Sequence, residues 1–245
     1  MLNIMGTPLS GTVSTDFAQS TIKMMISGGM LYLTLAQTRL SGTLHGTVPS
    51  APRLPNTAVD HNTGSAPRRF NTTATSQPKY SVMMFETALS GTLMAAFQYA
   101  HLNDFLMHDT EISGTIPVSS NVIQRVSFSN MQLSGELPAS TAPLSWLSLL
   151  SIYNNPRLEG SLEMLGTLAT LKHFFAFGCS ISGSIPGNLS SGLEKNNTLE
   201  SLLVRSNSIS GYLDTVGSIE TLNNLDVSSN RISGSLNTDI FVQSL

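Results

Sequence analysis

The chain has 245 residues, 40% of them hydrophobic but only 11% charged, with a net charge of −3 and a pI near 5.9. That is apolar material for a long core and well under the roughly 25% of charged residues usual in globular proteins. No basic face accumulates, which excludes electrostatic binding of nucleic acid, and the single cysteine excludes an internal disulfide.

In chain order, Leu2, Ile4, Thr7 and Leu9 open the sequence in the register of a repeat, with no basic segment, apolar core and cleavage site of a secretory leader ahead of them. LSGTV follows at 9–13. The apolar run from Met24 to Ala36 is too short to cross a bilayer. Met30, Leu33 and Leu35 alternate within it, which predicts a strand centred near Leu33, followed by LSGTL at 40–44. From Gly46 to Pro78 the pattern fails: prolines at 49, 52, 55, 67 and 78 leave little room for a ladder of strands. This segment reads as an extruded loop or a decayed repeat, or else as a partner-binding island using Arg53, Arg68 and Arg69 toward an acidic glycan. Regularity returns with strands centred near Val82, Phe105, Val126, Leu150, Phe174, Leu202 and Leu225. Each is followed by a block of the same kind: LSGTL at 89–93, ISGTI at 112–116, LSGEL at 133–137, LEGSL at 158–162, ISGSI at 181–185, ISGYL at 209–213 and ISGSL at 232–236. Ile240 to Leu245 reads as the approach to another strand. Because neither end carries a polar or disulfide-closed cap, the sequence reads as part of a longer protein.

From Gly91 onward the motif glycines are 23, 21, 25, 23, 28 and 23 residues apart. Counting back from Gly234 gives Leu222, Leu225, Val227, Asn230 and Ile232, and from Gly211 gives Leu199, Leu202, Val204, Asn207 and Ile209. The unit is therefore L-x-x-L-x-L-x-x-N-x-L-x-G-x-L, a leucine-rich repeat. Leu147, Leu150, Ile152, Asn155 and Leu158 keep the pattern with one extra residue at Pro156, and Cys179 takes the Asn place in the next unit. Departures lie toward the N-terminal half: Met131 stands in an Asn slot, Lys79 in a leucine slot, and Gly11 to Gly42 spans 31 residues. The fold class expected is α/β: a leucine-rich-repeat solenoid with one parallel β-sheet on its concave face and an irregular or short helical convex side. Residues 1–45 are N-terminal repeats, 46–78 the irregular insertion, and 79–245 the main repeats. In this arrangement the motif glycines sit on turns leaving the strands. Cys179 is a buried structural thiol.

Catalytic constellations are missing from the sequence. There is no phosphate-binding G-x-x-x-x-G-K-[ST], zinc-binding H-E-x-x-H or nucleophile-elbow G-x-S-x-G, and the histidines at 45, 61, 101, 108 and 173 have no metal-ligand spacing. Asp104, Asp109 and Glu111 read as a solvated acidic patch. No enzyme, cofactor or metal is expected. Sequons at Asn71, Asn188 and Asn196 fit glycosylation of an ectodomain. Register places Tyr153, Phe175 and Phe177 outward on adjacent strands, with His173 and Arg205 beside them. Exposed rings cost solubility, so these five form the expected partner-binding surface for an extracellular protein or glycan. The competing expectation is an inert surface coat.

The Thr that fills the Asn slot before LSGT, as at Thr7, Thr38 and Thr87, and Thr110 before ISGT, resembles the surface-antigen leucine-rich repeats of kinetoplastid protozoa, the promastigote surface antigen and proteophosphoglycan group. The resemblance covers nearly the whole chain outside 46–78. It implies a cell-surface or secreted ectodomain, attached to membrane only through an anchor outside this chain. The second choice is the plant-type repeat of receptor kinases and polygalacturonase inhibitors, similar at Ile112–Pro117 and Ile181–Pro186. Those families usually close their caps with paired cysteines, which this chain lacks.

Overall fold

A computed structural model describes residues 2–3, 10–12, 32–37, 39–44, 80–92, 102–116, 123–137, 146–189, 198–213, 216, 219 and 221–234. The 46–78 segment and the sequons at Asn71 and Asn196 lie outside the described residues. Alternating inward apolar residues build the expected strands: β1 (Leu2–Asn3), β3 (Tyr32–Ala36), β5 (Tyr80–Phe85), β7 (Leu102–His108), β9 (Arg125–Ser129), β11 (Leu149–Ser151), β13 (His173–Phe175), β14 (Ser201–Leu203) and β16 (Asn224–Asp226). They form a nine-stranded parallel sheet in sequence order, and Val82, Phe105, Val126, Leu150, Phe174, Leu202 and Leu225 meet like with like across it. No unit buries its apolar face alone, so stacking creates one continuous core. Phe105, Phe128, Phe174, Leu133 and Leu147 are fully buried within it.

The repeated Gly blocks do more than turn the chain. They form a second parallel sheet of six strands: β2 (Ser10–Thr12), β4 (Arg39–Leu44), β6 (Ala88–Thr92), β8 (Glu111–Gly114), β10 (Gln132–Glu136) and β12 (Arg157–Glu159). Farther along, pairing on this side shrinks to single bridges, Ser161 with Ser182 and Ser184 with Ser210, and to the short pair β15 (Ser210–Gly211) and β17 (Arg231–Ile232). The expected parallel sheet is present and this second sheet is added to it, while Gly160, Gly183 and Gly234 lie outside the strands, as expected of turn glycines. Gly is needed for two reasons at Gly160: its φ is +112°, and a Cβ there would lie 2.8 Å from the Leu137 backbone nitrogen of the previous rung. Among the described residues helical structure is confined to 3-10 turns, chiefly Leu162–Thr167 and Gly187–Leu189, the latter including the backbone of Asn188. None of their helices is long and apolar enough to cross a membrane.

Asparagine closes the turn out of the main sheet. The Asn207 side chain accepts a hydrogen bond from the Ile181 N–H (3.1 Å), and its Nδ2 donates to the carbonyls of Ala176 (2.7 Å) and Val204 (3.0 Å). Asn155 does the same with the Leu133 N–H and the Phe128 and Ile152 carbonyls, as does Asn230 with the Ile209 N–H and the Val204 and Val227 carbonyls. In the Cys179 rung the thiol donates to the Ile152 carbonyl at 3.3 Å, and burial raises its pKa, as expected of a structural cysteine. A second regularity was not read from sequence. The residue just before the slot is left-handed in every described rung: Gln37, Glu86, Asp109, Asn130, Asn154, Gly178, Ser206 and Ser229 all have φ between 49° and 68°. From Gln37 to Ser206 this turn lets the N–H of that residue reach the next rung, as in Asn130 N–H to the Tyr153 carbonyl and Asn154 N–H to the Phe177 carbonyl.

Candidate interaction surface on the main sheet

Alternation along each strand gives the outer face of the main sheet three rows of side chains running across the strands. The first row includes Ser81, Asp104, Arg125, Leu149, His173, Ser201 and Asn224, matched in register from strand to strand. The second runs through Met83, Leu106, Ser127, Ser151, Phe175, Leu203 and Asp226. The third begins with Phe85, His108 and Ser129, and is continued past the ends of the shorter strands by Tyr153, Phe177 and Arg205.

The expected site residues meet on this face. Tyr153 and Phe177 stack with ring centroids 4.4 Å apart and planes 9° from parallel, and the Arg205 guanidinium lies 4.9 Å from the Phe177 centroid. Asp226 is 4.0 Å from Arg205 Nε. Its carboxylate accepts from the Ser228 hydroxyl and N–H, which together with Arg205 hold its pKa below the usual value despite slight desolvation. Phe175 is half-buried one row away, and His173 stands farther along the same strand, its centroid 6.0 Å from that of Phe175 and its Nδ1 3.3 Å from the Ser201 hydroxyl. Tyr153, Phe177 and Arg205 thus form one stack, with Phe175 and His173 as neighbours.

A second aromatic pair, absent from the expected site, occupies the same row toward the N-terminus. Phe85 and His108 stack at 4.1 Å and 15°, and Asp109 holds His108 through its Nδ1 at 2.7 Å. Both follow the same outward alternation as Tyr153 and Phe177; alternation alone does not show that adjacent rings pair. Between the two stacks lies a saddle of serines. Ser129 and Ser151 are 0% and 4% exposed and share a 3.0 Å hydrogen bond, so the flanking side chains close over them.

Asp104 corrects the reading of a solvated acidic trio. Asp109 and Glu111 are exposed, but Asp104 is 5% exposed and accepts from Ser81 (2.7 Å), Asn103 (2.9 Å) and Arg125 (2.6 Å). Burial pushes its pKa up; the hydrogen bonds and the Arg125 charge outweigh that and hold it below the normal range. It is a structural ion pair on the first row. Trp146 was also missed. Thr170, Thr198 and Thr221 each precede a rung and donate to a carbonyl of the rung before, at Leu147, Leu171 and Leu199. Trp146 takes this place in its own rung and stands 61% exposed. Among the described residues no group of His, Cys, Asp and Glu could hold a metal ion.

No protein-family model and no curated protein matches the chain. Solved structures do. The plant peptide hormone receptor RGFR1, in complex with RGF2, superposes with a TM-score of 0.72 at 22% identity, over 96% of this chain and 33% of the receptor. The Arabidopsis receptor kinase HAESA, in complex with the peptide hormone IDA and the co-receptor SERK1, also gives 0.72, at 17% identity over 99% of this chain and 35% of that one. A plant ice-binding protein gives 0.50 at 17% identity, over 99% of this chain and 63% of its own length. The chain spans about a third of the two receptor chains it matches. The likeness is to plant receptor ectodomains, and support for the kinetoplastid surface antigens expected first is missing. The chain has the leucine-rich-repeat solenoid fold of those ectodomains.

Proposed function

We propose that this chain is a non-catalytic, extracellular recognition module whose main sheet binds a protein or peptide. The observation that carries this reading is the stack of Tyr153, Phe177 and Arg205 standing on the sheet in place of small polar residues. Aromatic and Arg side chains supply much of the binding energy in protein interfaces, and a surface that only spaces or shields has no use for them. Ring orientation favours protein over glycan. Sugars pack on aromatic faces, and here stacking takes up one face of each ring: Tyr153 lies against Phe177, which the Arg205 guanidinium also overlies, and Phe85 lies against His108. Paired rings turn their electropositive edges outward, where carbonyls and apolar side chains fit. The similar receptor structures hold peptide hormones, which agrees with this choice. Glycosylation at Asn71, Asn188 or Asn196 and attachment through an anchor outside the chain belong to the same proposal. The serine-rich faces of the second sheet give an ice-binding role little support, because Glu111, Glu136, Arg157 and Glu159 interrupt them. The test is a parallel screen of the labelled chain on arrays of extracellular proteins and of glycans. Binding to defined proteins is expected; glycan binding without protein binding would reverse the choice, and silence on both arrays would favour the coat.

A further inference from the structure

The two aromatic stacks lie on one row, and their spacing says what kind of segment can touch both. From the Phe85–His108 pair on β5 and β7 to the Tyr153–Phe177 pair just past β11 and β13 is three strand intervals in the order β5, β7, β9, β11, β13. At about 4.8 Å per strand this is about 14 Å. An extended chain rises about 3.3 Å per residue, so four residues cover about 13 Å, and residues i, i+2 and i+4 face the same way. The position between the stacks is Ser129, fully buried beneath the flanking side chains and already hydrogen-bonded to Ser151, so there is no pocket there for a large side chain. Charge differs between the ends of the row. Glu86 and Asp109, both exposed, follow Phe85 and His108 in their rungs, whereas Arg205, its side chain 54% exposed, closes the other stack.

Resting on the recognition role proposed above, we propose that the two stacks act together as a bipartite site for an extended polypeptide segment lying across the strands. Its bulky apolar side chains sit at i on the Phe85–His108 stack and at i+4 on the Tyr153–Phe177 stack, with a small residue at i+2 over Ser129. At i−2, which faces the sheet as the anchors do, a basic residue lies beside Glu86 and Asp109, and at i+6 an acidic residue lies beside Arg205. The binding direction is thereby fixed: reversing the segment would bring like charges together at both ends.

A displayed library of random twelve-residue peptides, selected on the whole chain, reads this out directly. The expected consensus is basic, any, apolar, any, small, any, apolar, any, acidic. Selected peptides should lose tenfold or more in affinity on Phe85→Ser/His108→Ser and also on Tyr153→Ser/Phe177→Ser, each variant first shown to melt cooperatively. Selection repeated on Arg205→Glu should change the last consensus position from acidic to basic. A consensus with one anchor, sensitive to one stack only, overturns the bipartite site and leaves recognition by this face standing. Peptides indifferent to both double variants overturn both readings, and failure to recover any binder overturns the proposed segment chemistry.

Discussion

The two halves of the solenoid satisfy the same backbone demand by different means. Toward the C-terminus, Asn155, Asn207 and Asn230 reach across rungs with their amides, and pairing on the second side falls to single bridges or two-residue strands. Toward the N-terminus the equivalent places hold Thr87, Thr110 and Met131. Thr110 accepts only a long 3.5 Å bond from the Ile112 N–H, Met131 is 2% exposed, and the Thr87 hydroxyl is buried without a partner. There the second sheet is at its longest, with β4, β6, β8 and β10 running four to six residues each. Buried N–H and C=O groups must be paired whichever way the chain is built. A side-chain amide does it rung by rung; strand pairing does it collectively and relaxes the choice of side chain in the slot.

The largest effect tests what both halves share. Leu202→Ala should cost about 2–5 kcal/mol in a denaturant melt, since Leu202 is fully buried between β13 and β16. Leu225, on the last described strand of the main sheet and 36% exposed, should cost under about 2 kcal/mol. Equal losses would mean the rungs do not stack as described. The contrast itself is sharpest in the slots. Asn207→Ala should cost about 1–3 kcal/mol by leaving buried backbone groups unpaired, whereas Thr87→Val should be neutral or stabilising by about 1 kcal/mol because it removes a hydroxyl with no partner. If both destabilise equally, the second sheet does not relieve the N-terminal slots. A smaller effect concerns acid. Because the folded pKa of Asp104 is depressed, its ion pair with Arg125 contributes stability that is present above the unfolded carboxylate value of about 3.9 and is lost as pH falls through the folded one. Stability measured from pH 6 down to 2 should fall less steeply for Asp104→Asn than for the native chain.

The repeat was legible because its apolar period and its glycines are local features. Strand positions from Val82 to Leu225 follow from counting back from each glycine, and Asn207 and Asn230 were identifiable as turn closers for the same reason. The second sheet was not legible: L-S-G-T reads equally as a turn or as a short strand, and pairing depends on the neighbouring rung. The same limit applies to the site. Outward register brought Tyr153, Phe175, Phe177 and Arg205 to one face, but ring stacking is a contact between residues 24 positions apart, as for Tyr153 and Phe177. Asp104 was misread because its exposure depends on Ser81 and Arg125 in the rungs on either side.

The claim that the main sheet is the recognition surface is tested most directly by titrating an extracellular protein found on the array with the native chain, with Tyr153→Ala/Phe175→Ala/Phe177→Ala, and with Ser182→Ala/Ser184→Ala on the opposite side as control. Losing a central interface aromatic typically costs about 2 kcal/mol, close to 30-fold in affinity. The aromatic variant should therefore bind at least about 30-fold more weakly at unchanged folding, with the serine variant equal to the native chain. Native affinity in the aromatic variant, or a loss confined to the serine variant, would contradict the account.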